Sequence, residues 1–366
     1  MDSIYQKEAL SLPKEDISSL PAAVGWESPS NIALVKYWGK KETQKPVNPS
    51  LSMTLSHMNT RTEVHYTRSK HEQGRRWLRF KGQENHPFGE RINSYLDQAE
   101  KFFPFLTHMD LYIDSKNSFP HSAGMASSAS AMSALALCLC SIEQRLKARQ
   151  TIPEEFYRKA SFMARLGSGS ASRSVYGNFV EWADPSNGSE EYAQPLEGKV
   201  DPALAFLHDS VMITSTQAKK VTSSQGHARM EHHPYQSSRI QQALNNQQKI
   251  REALSSGNFQ KLAEAIEEEA LSLHALMLSS NPGFILINQA TIHIIEAIRK
   301  FRDQTGARIT FTLDAGPNVH VLYPVAEKEP IRKWMQQALE PYCENGAMIH
   351  DFTGKGPEKI NPNQND

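Results

Sequence analysis

Pro120-His-Ser-Ala-Gly-Met-Ala-Ser-Ser-Ala-Ser-Ala131 joins two very different flanks. Met109 to Ser115 alternates with the period of a strand, while Ser128 to Leu146 holds no Gly or Pro and is dense in Ala, Leu, Met and Cys. The pattern predicts strand, lean loop, then a long apolar helix. A loop built of small residues lets a ligand come close to the backbone. The helix start adds free N–H groups and a positive dipole end. Those are the requirements of a phosphate cradle. The same string also serves as a tight turn under a core helix, and by itself the loop leaves both readings open.

Upstream of the loop, Asn31 to Tyr37 and Leu51 to Ser56 read as strands. Thr60 to Thr67 and Arg76 to Lys81 are expected to pair antiparallel around a charged, Gly-containing turn. Phe88 to Phe103 has helical periodicity and stops at Pro104. Downstream, Pro153 to Leu166 reads as a helix with Pro153 in its first turn. Gly177 to Ala183 and Ala205 to Thr214 return to strand patterning, separated by a Pro-, Gly- and Ser-rich connection from Asp184 to Pro202. Three helical stretches follow, Gln236 to Ser256, Asn258 to Leu278 and Ile287 to Asp303. The strands Arg308 to Leu313, Val319 to Tyr323 and Met348 to Phe352 come next, with a helix from Pro330 to Leu339 among them. The polar tail after Lys355 is expected to fray. Both halves mix antiparallel strands with helices, so the expected fold is α+β in two domains. The division is an arm over 1–20, an N-terminal domain over 21–208 and a C-terminal domain over 209–366.

The 40 basic and 40 acidic residues cancel. No global field then draws nucleic acid or a membrane, and anion binding must be local. Cys138, Cys140 and Cys343 are too few for a disulfide framework, and the first two fall in the apolar helix as buried thiols. No CxxC or HExxH string occurs, which argues against a dedicated zinc site. No apolar stretch is long enough to span a membrane, and the first 20 residues lack an apolar signal core. The expectation is a soluble, cytoplasmic protein.

Three further motifs carry chemistry. Asn31-Ile-Ala-Leu-Val-Lys36-Tyr-Trp-Gly-Lys40 ends an apolar strand with two lysines beside an aromatic wall, although strand-end lysines are often merely solvated. Arg165-Leu-Gly-Ser168-Gly-Ser170-Ala-Ser172-Arg173 gathers backbone donors, hydroxyls and guanidinium groups suited to phosphate or carboxylate. A flexible Gly/Ser turn is its ordinary alternative. Thr310-Phe-Thr-Leu-Asp314-Ala-Gly-Pro-Asn318 places a carboxylate at the end of a buried-looking strand. There it either initiates a turn or meets a reacting hydroxyl.

The KYWGK, GSGSxxRS and DAGPN strings, in this order and with the PxxAGxASSA loop, resemble the diphosphomevalonate decarboxylases of the GHMP superfamily. The resemblance runs from about Ser28 to Pro357. Weaker echoes are Asn48-Pro-Ser50-Leu-Ser52, Glu90-Arg91, Val221-Thr-Ser223-Ser-Gln-Gly226 and Thr353-Gly-Lys-Gly-Pro357. It implies a ribosomal protein S5 domain 2-like N-terminal domain and a ferredoxin-like α/β C-terminal domain, with the active site in the cleft between them. The implied reaction converts (R)-5-diphosphomevalonate and ATP to isopentenyl diphosphate, ADP, phosphate and CO2.

By the same resemblance, Asp314 orients or deprotonates the C3 hydroxyl, Lys36 stabilises developing negative charge, and Arg173 holds the C1 carboxylate. The substrate side comprises Tyr37, Trp38, Gly39, Lys40, Arg91, Ser168, Gly169, Ser170, Ala171 and Ser172. The nucleotide side comprises Ser122, Gly124, Ala126, Ser127, Ser128 and Ser223, with Ser128 nearest the γ-phosphate and its Mg2+. The metal itself is expected to be held mainly by ATP oxygens and water. The partners implied are the small-molecule substrate and ATP, and a homodimer is usual in that family.

Several positions depart from the family pattern. His121 and Ser122 stand where Thr-Ala or similar small residues are usual, and His227 stands where Met is usual. Gln44 replaces an Asn, Pro49 interrupts a Ser-Ser, and His320 lies just past the DAGPN turn. They bear on substrate fit and nucleotide preference and leave the Asp, Lys and Arg in place. The alternatives are a decarboxylase of 5-phosphomevalonate, a mevalonate 3-kinase of the same superfamily, or a non-catalytic binding protein. A pure 3-kinase has no need of Asp314, Lys36 and Arg173 together, whereas one phosphate or two is decided by pocket fit.

Overall fold

Two long alternating strands organise the molecule. The computed structural model describes residues 4–7, 9, 22–84, 88–119, 127–147, 152–185, 189–217 and 221–362. After the short helix α1 (Ile4–Lys7), strands β1 (Ala22–Val35) and β2 (Ser50–Arg68) pair antiparallel over most of their length. Around them come β3 (Arg76–Phe80), β4 (Gln83–Glu84), α2 (Phe88–Ala99), β5 (Met109–Asn117), α3 (Ser127–Leu146), α4 (Pro153–Gly167), β6 (Phe179–Trp182) and β7 (Ala193–Pro195). The second half holds α5 (Pro202–Ala205), β8 (Leu207–Met212), α6 (Ser223–Ala228), α7 (Gln236–Ser256), α8 (Phe259–Ser279) and α9 (Gln289–Thr305). It closes with β9 (Thr310–Leu313), β10 (Val319–Pro324), α10 (Lys328–Ala338), β11 (Met348–Phe352) and β12 (Glu358–Ile360).

Strands β1 and β2 serve two cores. Val24, Trp26, Val64 and Tyr66 face α2, α3 and α4, whereas Ile32, Leu34, Leu51, Met53 and Leu55 pack against α7, α8 and β8. Register shifts between Pro29 and Asn31 and between Ala33 and Val35 mark the transition. Such irregularities bend a strand and re-aim its side chains, here just before Lys36. Helix α3 is buried along an unbroken run from Ala129 to Glu143, as expected of a helix apolar on all sides. Its polar members are satisfied: Trp26 Nε1 donates to Ser141 Oγ at 2.8 Å, and Ser133 Oγ donates to the Ser130 carbonyl at 3.0 Å. Cys138 and Cys140 are buried free thiols, and burial raises both pKa values.

The second sheet runs β11-β8-β10-β9 with every neighbour antiparallel. Numbering its strands by sequence gives the order 4-1-3-2, with helices inserted between the first and second and between the third and fourth. That is the ferredoxin-like arrangement. The expected α+β fold in two layers of sheet and helix is therefore present.

Two local expectations are corrected. Thr60 to Thr67 and Arg76 to Lys81 do not pair with each other, because β5 lies between them. Val64 faces Ile113 in an antiparallel ladder, and Leu78 faces the same Ile113 in a parallel one. Strand β5 buries Met109, Leu111 and Ile113, whereas β3 buries only Phe80. The more apolar strand takes the central position. The tail after Lys355 does not fray over its whole length either, since Glu358 to Ile360 adds a strand to β1 with Ile360 opposite Gly25. A Cβ on Gly25 would lie 2.7 Å from Ile360 Cγ1, so the missing side chain is what admits this strand. Of the arm, Tyr5 packs on Phe162 with ring centroids 4.9 Å apart.

The return segment before β12 also passes backbone to backbone over Gly177, where a Cβ would sit 2.0 Å from the Lys355 carbonyl oxygen. Gly177→Ala is therefore expected to destabilise the chain by about 1–3 kcal/mol, the usual range for overpacking. Thermal melting measures this, and an unchanged melting temperature would contradict the close approach.

Candidate active site

Lys36 follows β1 directly and is 2 % exposed. Its Nζ donates to the Ala33 carbonyl at 2.6 Å and lies 3.3 Å from Asp314 Oδ1. Asp314 follows β9, so the contact joins the two halves of the chain across 278 residues. Burial lowers the Lys36 pKa, and the Asp314 charge and hydrogen bond oppose that shift. The Asp314 side chain keeps 26 % exposure, which makes the carboxylate the member of the pair that a solute can reach.

Arg173 lies in the seven-residue 3-10 segment Gly169–Val175 and is 2 % exposed. Its Nη2 donates to Asn31 Oδ1 at 3.3 Å, while Nε and Nη1 are buried without a hydrogen-bond partner. Burial brings its pKa down to about 10, against the raising effect of Asp314. Other arginines nearby are neutralised. Arg165 donates to Glu191 Oε2 at 2.8 Å, and Arg239 grips Glu269 at 2.5 and 2.6 Å. A buried guanidinium with spare donors is costly unless an anion joins it. Those two orphaned nitrogens fit a carboxylate or phosphate oxygen.

The same 3-10 segment meets the start of α3. Ser128 Oγ and Ser168 Oγ are 3.3 Å apart, and Ser168 Oγ and Ser170 Oγ are 3.4 Å apart. Gly169 lies against Tyr37, where a Cβ would come within 2.5 Å of the phenol oxygen. Ala171 and Ser172 are fully buried, and Ser172 Oγ donates to the Gly169 carbonyl at 2.8 Å. These two form the frame of the turn, while the hydroxyls of Ser128, Ser168 and Ser170 line its face. Pro120 to Ala126, with His121, Ser122, Gly124 and Ala126, lies outside the described residues, as does the side chain of Ser223. Ser127 opens α3, and the first turn of a helix is where backbone N–H groups suit an anion. No group of three or more His, Cys, Asp or Glu side chains that could hold a metal is found among the described residues.

Lys40 and Arg91 form a second cationic pair. Lys40 Nζ donates to Gln44 Oε1 at 3.2 Å, and Arg91 Nη2 donates to the Gly167 carbonyl at 3.0 Å. Each thus has a neutral oxygen rather than a carboxylate. Burial and then the Arg91 charge lower the Lys40 pKa. Two cations that repel each other are an arrangement an added polyanion relieves. Gln44 also accepts from Tyr37 Oη through its carbonyl at 2.9 Å. This departure from the family pattern holds both residues of the KYWGK turn.

Trp38 points into an apolar cluster with Met230, Leu273, Leu276 and Met277 and is a wall rather than a polar contact. Asn48 Nδ2 donates to the carbonyls of Lys36 and Pro49, at 3.0 and 2.7 Å. His320 pairs with Asp209 at 2.8 Å; burial opposes its charge, but Asp209 outweighs this and raises its pKa. Sequence reasoning did not find Asn31, Arg239, Glu269 or His274 as supports. Glu269 was findable, because it sits among Ile266, Ala270 and Leu273 on the buried face of α8.

A cationic, serine-lined cleft at a buried helix start, closed by a ferredoxin-like half that supplies a carboxylate, defines a two-domain enzyme of the GHMP type. Comparison with known proteins agrees. Residues 28–193 match the diphosphomevalonate decarboxylase-like N-terminal domain and residues 210–365 the mevalonate 5-diphosphate decarboxylase C-terminal domain. A diphosphomevalonate decarboxylase of Danio rerio is 30 % identical over 326 residues, covering 83 % of this chain and 76 % of the relative. The mevalonate diphosphate decarboxylase of Staphylococcus aureus superposes with a TM-score of 0.79 at 30 % identity, over 93 % of this chain and 98 % of that one. MDDEF in complex with MVAPP, AMPPCP and magnesium has a TM-score of 0.77 at 26 % identity, over 92 % and 98 % of the two chains. This chain belongs to the diphosphomevalonate decarboxylase family.

His227, the departure from Met, is half-buried between Tyr37 and Trp38, with ring centroids 4.6 and 4.7 Å away. Its Nδ1 accepts from the Gly39 N–H at 3.0 Å, where Gly39 has φ +88°. Burial, then the Lys40 charge, brings its pKa down to about 3 from 6.5. The sign follows: above pH 6.5 the ring is neutral folded and unfolded, while below it only the unfolded chain takes up the proton. Between pH 6.5 and about 3, His227 therefore costs stability at about 1.4 kcal/mol per pH unit. His227→Met is expected to become progressively more stable than the parent on acidification in denaturant titrations. Parallel acid slopes would contradict the neutral imidazole.

Proposed function

We propose that this chain catalyses ATP-dependent decarboxylation of (R)-5-diphosphomevalonate to isopentenyl diphosphate, ADP, phosphate and CO2, a step of the mevalonate pathway. The observation that carries the reading is the Lys36–Asp314 contact at 3.3 Å beside a fully buried Arg173 with two unpartnered nitrogens.

Asp314 accepts the proton of the C3 hydroxyl, or orients it, as the oxygen takes the γ-phosphoryl group. The Lys36 ammonium offsets the negative charge that develops there. Arg173 holds the C1 carboxylate through its fork. The C1–C2 bond then breaks, its electron pair forms the C2–C3 double bond, and phosphate leaves from C3 with the C–O electrons. Arg173 fixes the geometry of that fragmentation. Lys40, Arg91, Tyr37, Gly39 and the Ser168–Gly169–Ser170 turn grip the diphosphate, and Trp38, Ala171 and Ser172 brace that wall. Ser127, Ser128, Ser122, Gly124, Ala126 and Ser223 receive the nucleotide phosphates. Ser128 would be the protein hydroxyl beside a nucleotide-bound Mg2+, which would supply neutralisation of phosphate charge.

The paired cations Lys40 and Arg91 favour a diphosphate over a monophosphate, and the spare Arg173 donors favour a substrate that must lose a carboxylate over simple 3-phosphorylation. We divide the chain into an arm over 1–20 and domains over 21–208 and 209–366, which family models that end at 193 and begin at 210 support, although β8 of the second sheet begins at Leu207 and β12 returns to the first sheet. No helix among the described residues is long and apolar enough to cross a membrane, which is compatible with a cytoplasmic site of action. We place the enzyme there as a homodimer, on the family resemblance.

Asp314→Asn should cut turnover by about 1000-fold, within the range of acid–base catalysis, while ATP affinity stays within about threefold. Substantial turnover in that variant would remove the assigned role. Arg173→Gln should lower kcat/KM for diphosphomevalonate by about 100-fold, the scale of a lost charge-assisted contact. Steady-state comparison of the two mevalonate phosphates decides the substrate: a higher kcat/KM with 5-phosphomevalonate would transfer the function to the monophosphate alternative.

A further inference from the structure

Helix α8 touches the backbone of both members of the Lys36–Asp314 pair. The Glu269 Oε2 atom accepts the Lys36 backbone N–H at 2.8 Å. Five residues on, His274 Nε2 lies 3.1 Å from the Asp314 carbonyl oxygen. A carbonyl can only accept, so His274 Nε2 carries the proton and donates it. Glu269 is fully buried and His274 is 4 % exposed. The two positions are about 7.5 Å apart along a rigid helix axis. Lys36 directly follows a strand of the first sheet and Asp314 a strand of the second, so their separation is not set by either sheet alone.

We propose that α8 is the jig that registers the two catalytic side chains, with Glu269 and His274 as positioning residues that fix the Lys36 and Asp314 backbones to one helix. This inference rests on the roles given to Lys36 and Asp314 above.

Glu269 cannot swing away, because Arg239 Nη1 and Nη2 hold its two oxygens at 2.6 and 2.5 Å and Asn246 Nδ2 donates at 3.0 Å. The clamp closes on the other side of the same residue, where Asn48 Nδ2 and Arg239 Nη2 donate to the Lys36 carbonyl at 3.0 and 3.4 Å. At the far end, the Asp314 carbonyl also accepts from the Gly316 N–H at 2.7 Å, so His274 adds a tertiary anchor to a local turn. Glu269 itself is held by four hydrogen bonds, although Arg239 Nε and Asn48 Oδ1 are left without partners, and a buried group so multiply bonded resists small displacements. A displacement of 1 Å at a reacting group costs on the order of 100-fold in rate.

Glu269 has a second effect through its charge. The groups that act on the Lys36 ammonium are Asp314 and Glu269, which raise its pKa, and Arg173, which lowers it after burial. Arg239 is bonded to Glu269, and His320 lies near enough to interact with both Lys36 and Asp314. Neutralising Glu269 removes one raising influence, so Lys36 should lose its proton at lower pH.

The test uses the full-length enzyme in steady state, with kcat and both KM values measured for His274→Phe, His274→Gln, Glu269→Gln and a control, Leu262→Ala. Leu262 is buried on α8 seven residues before Glu269, about two helical turns away from the two contacts. His274→Phe should lower kcat by about tenfold or more with both KM values within about twofold, and His274→Gln, which keeps a donor, should recover most of that loss. Leu262→Ala should lower the melting temperature and leave kcat alone. The alkaline limb of the kcat profile should move to lower pH in Glu269→Gln. If His274→Phe does not fold, His274→Asn takes its place, being polar but too short to reach the carbonyl, with the same loss of kcat expected. An unchanged kcat in these His274 variants, an equal loss in Leu262→Ala, or an unmoved alkaline limb would overturn the proposal. Wild-type turnover in Asp314→Asn would instead overturn the roles on which it rests.

Discussion

The Lys36–Asp314 contact at 3.3 Å is the constraint around which the molecule is arranged. One partner ends a strand of the first sheet, and the other ends a strand of the second. Taking an ammonium to 2 % exposure carries a large desolvation cost, which the close Asp314 carboxylate, the Ala33 carbonyl and the charge of Glu269 offset. Chemistry gives this costly pair its use. A desolvated ammonium next to a carboxylate that solutes can reach is suited to a hydroxyl that must lose a proton while gaining a phosphoryl group.

Charge accounting separates working groups from supporting ones. Arg165 and Arg239 are as buried as Arg173, yet each has a carboxylate of its own. Arg173 has a single neutral side-chain acceptor and two nitrogens left over. Lys40 and Arg91 likewise bond neutral oxygens only. Among the described residues, three cations are thus without a bonded carboxylate: Arg173 in the serine turn, Arg91 on the Gly167 carbonyl beside it, and Lys40 close to Arg91, in a chain whose total charge is balanced. The anion affinity is built locally.

Most of the element pattern was legible in the sequence, because long apolar runs and strict alternation carry a strong signal. Helix α3 and the strands around Asp314 appear nearly where expected. Strand order was not legible: β5 took the place beside β2 because it buries three apolar residues to one in β3, a competition between segments far apart in the chain. Strand β12 was hidden by its polar composition, and its place depends on a glycine more than 300 residues away. Within the site, motifs identified Lys36, Arg173 and Asp314. Asn31 opens the same string as Lys36, but its contact with Arg173 was not legible there; Arg239 and His274 stand outside any short string, and only the fold brings them to the site. Glu269 left a trace, a carboxylate at a core position of an amphipathic helix.

The most direct test of the account is a crystal structure with diphosphomevalonate and a non-reactive ATP analogue bound together. The predicted result places the C3 hydroxyl within hydrogen-bond distance of the Asp314 carboxylate and the C1 carboxylate on the free nitrogens of Arg173, with the diphosphate between Lys40 and Arg91. A substrate carboxylate seated away from Arg173, or a C3 hydroxyl out of reach of Asp314, would contradict it.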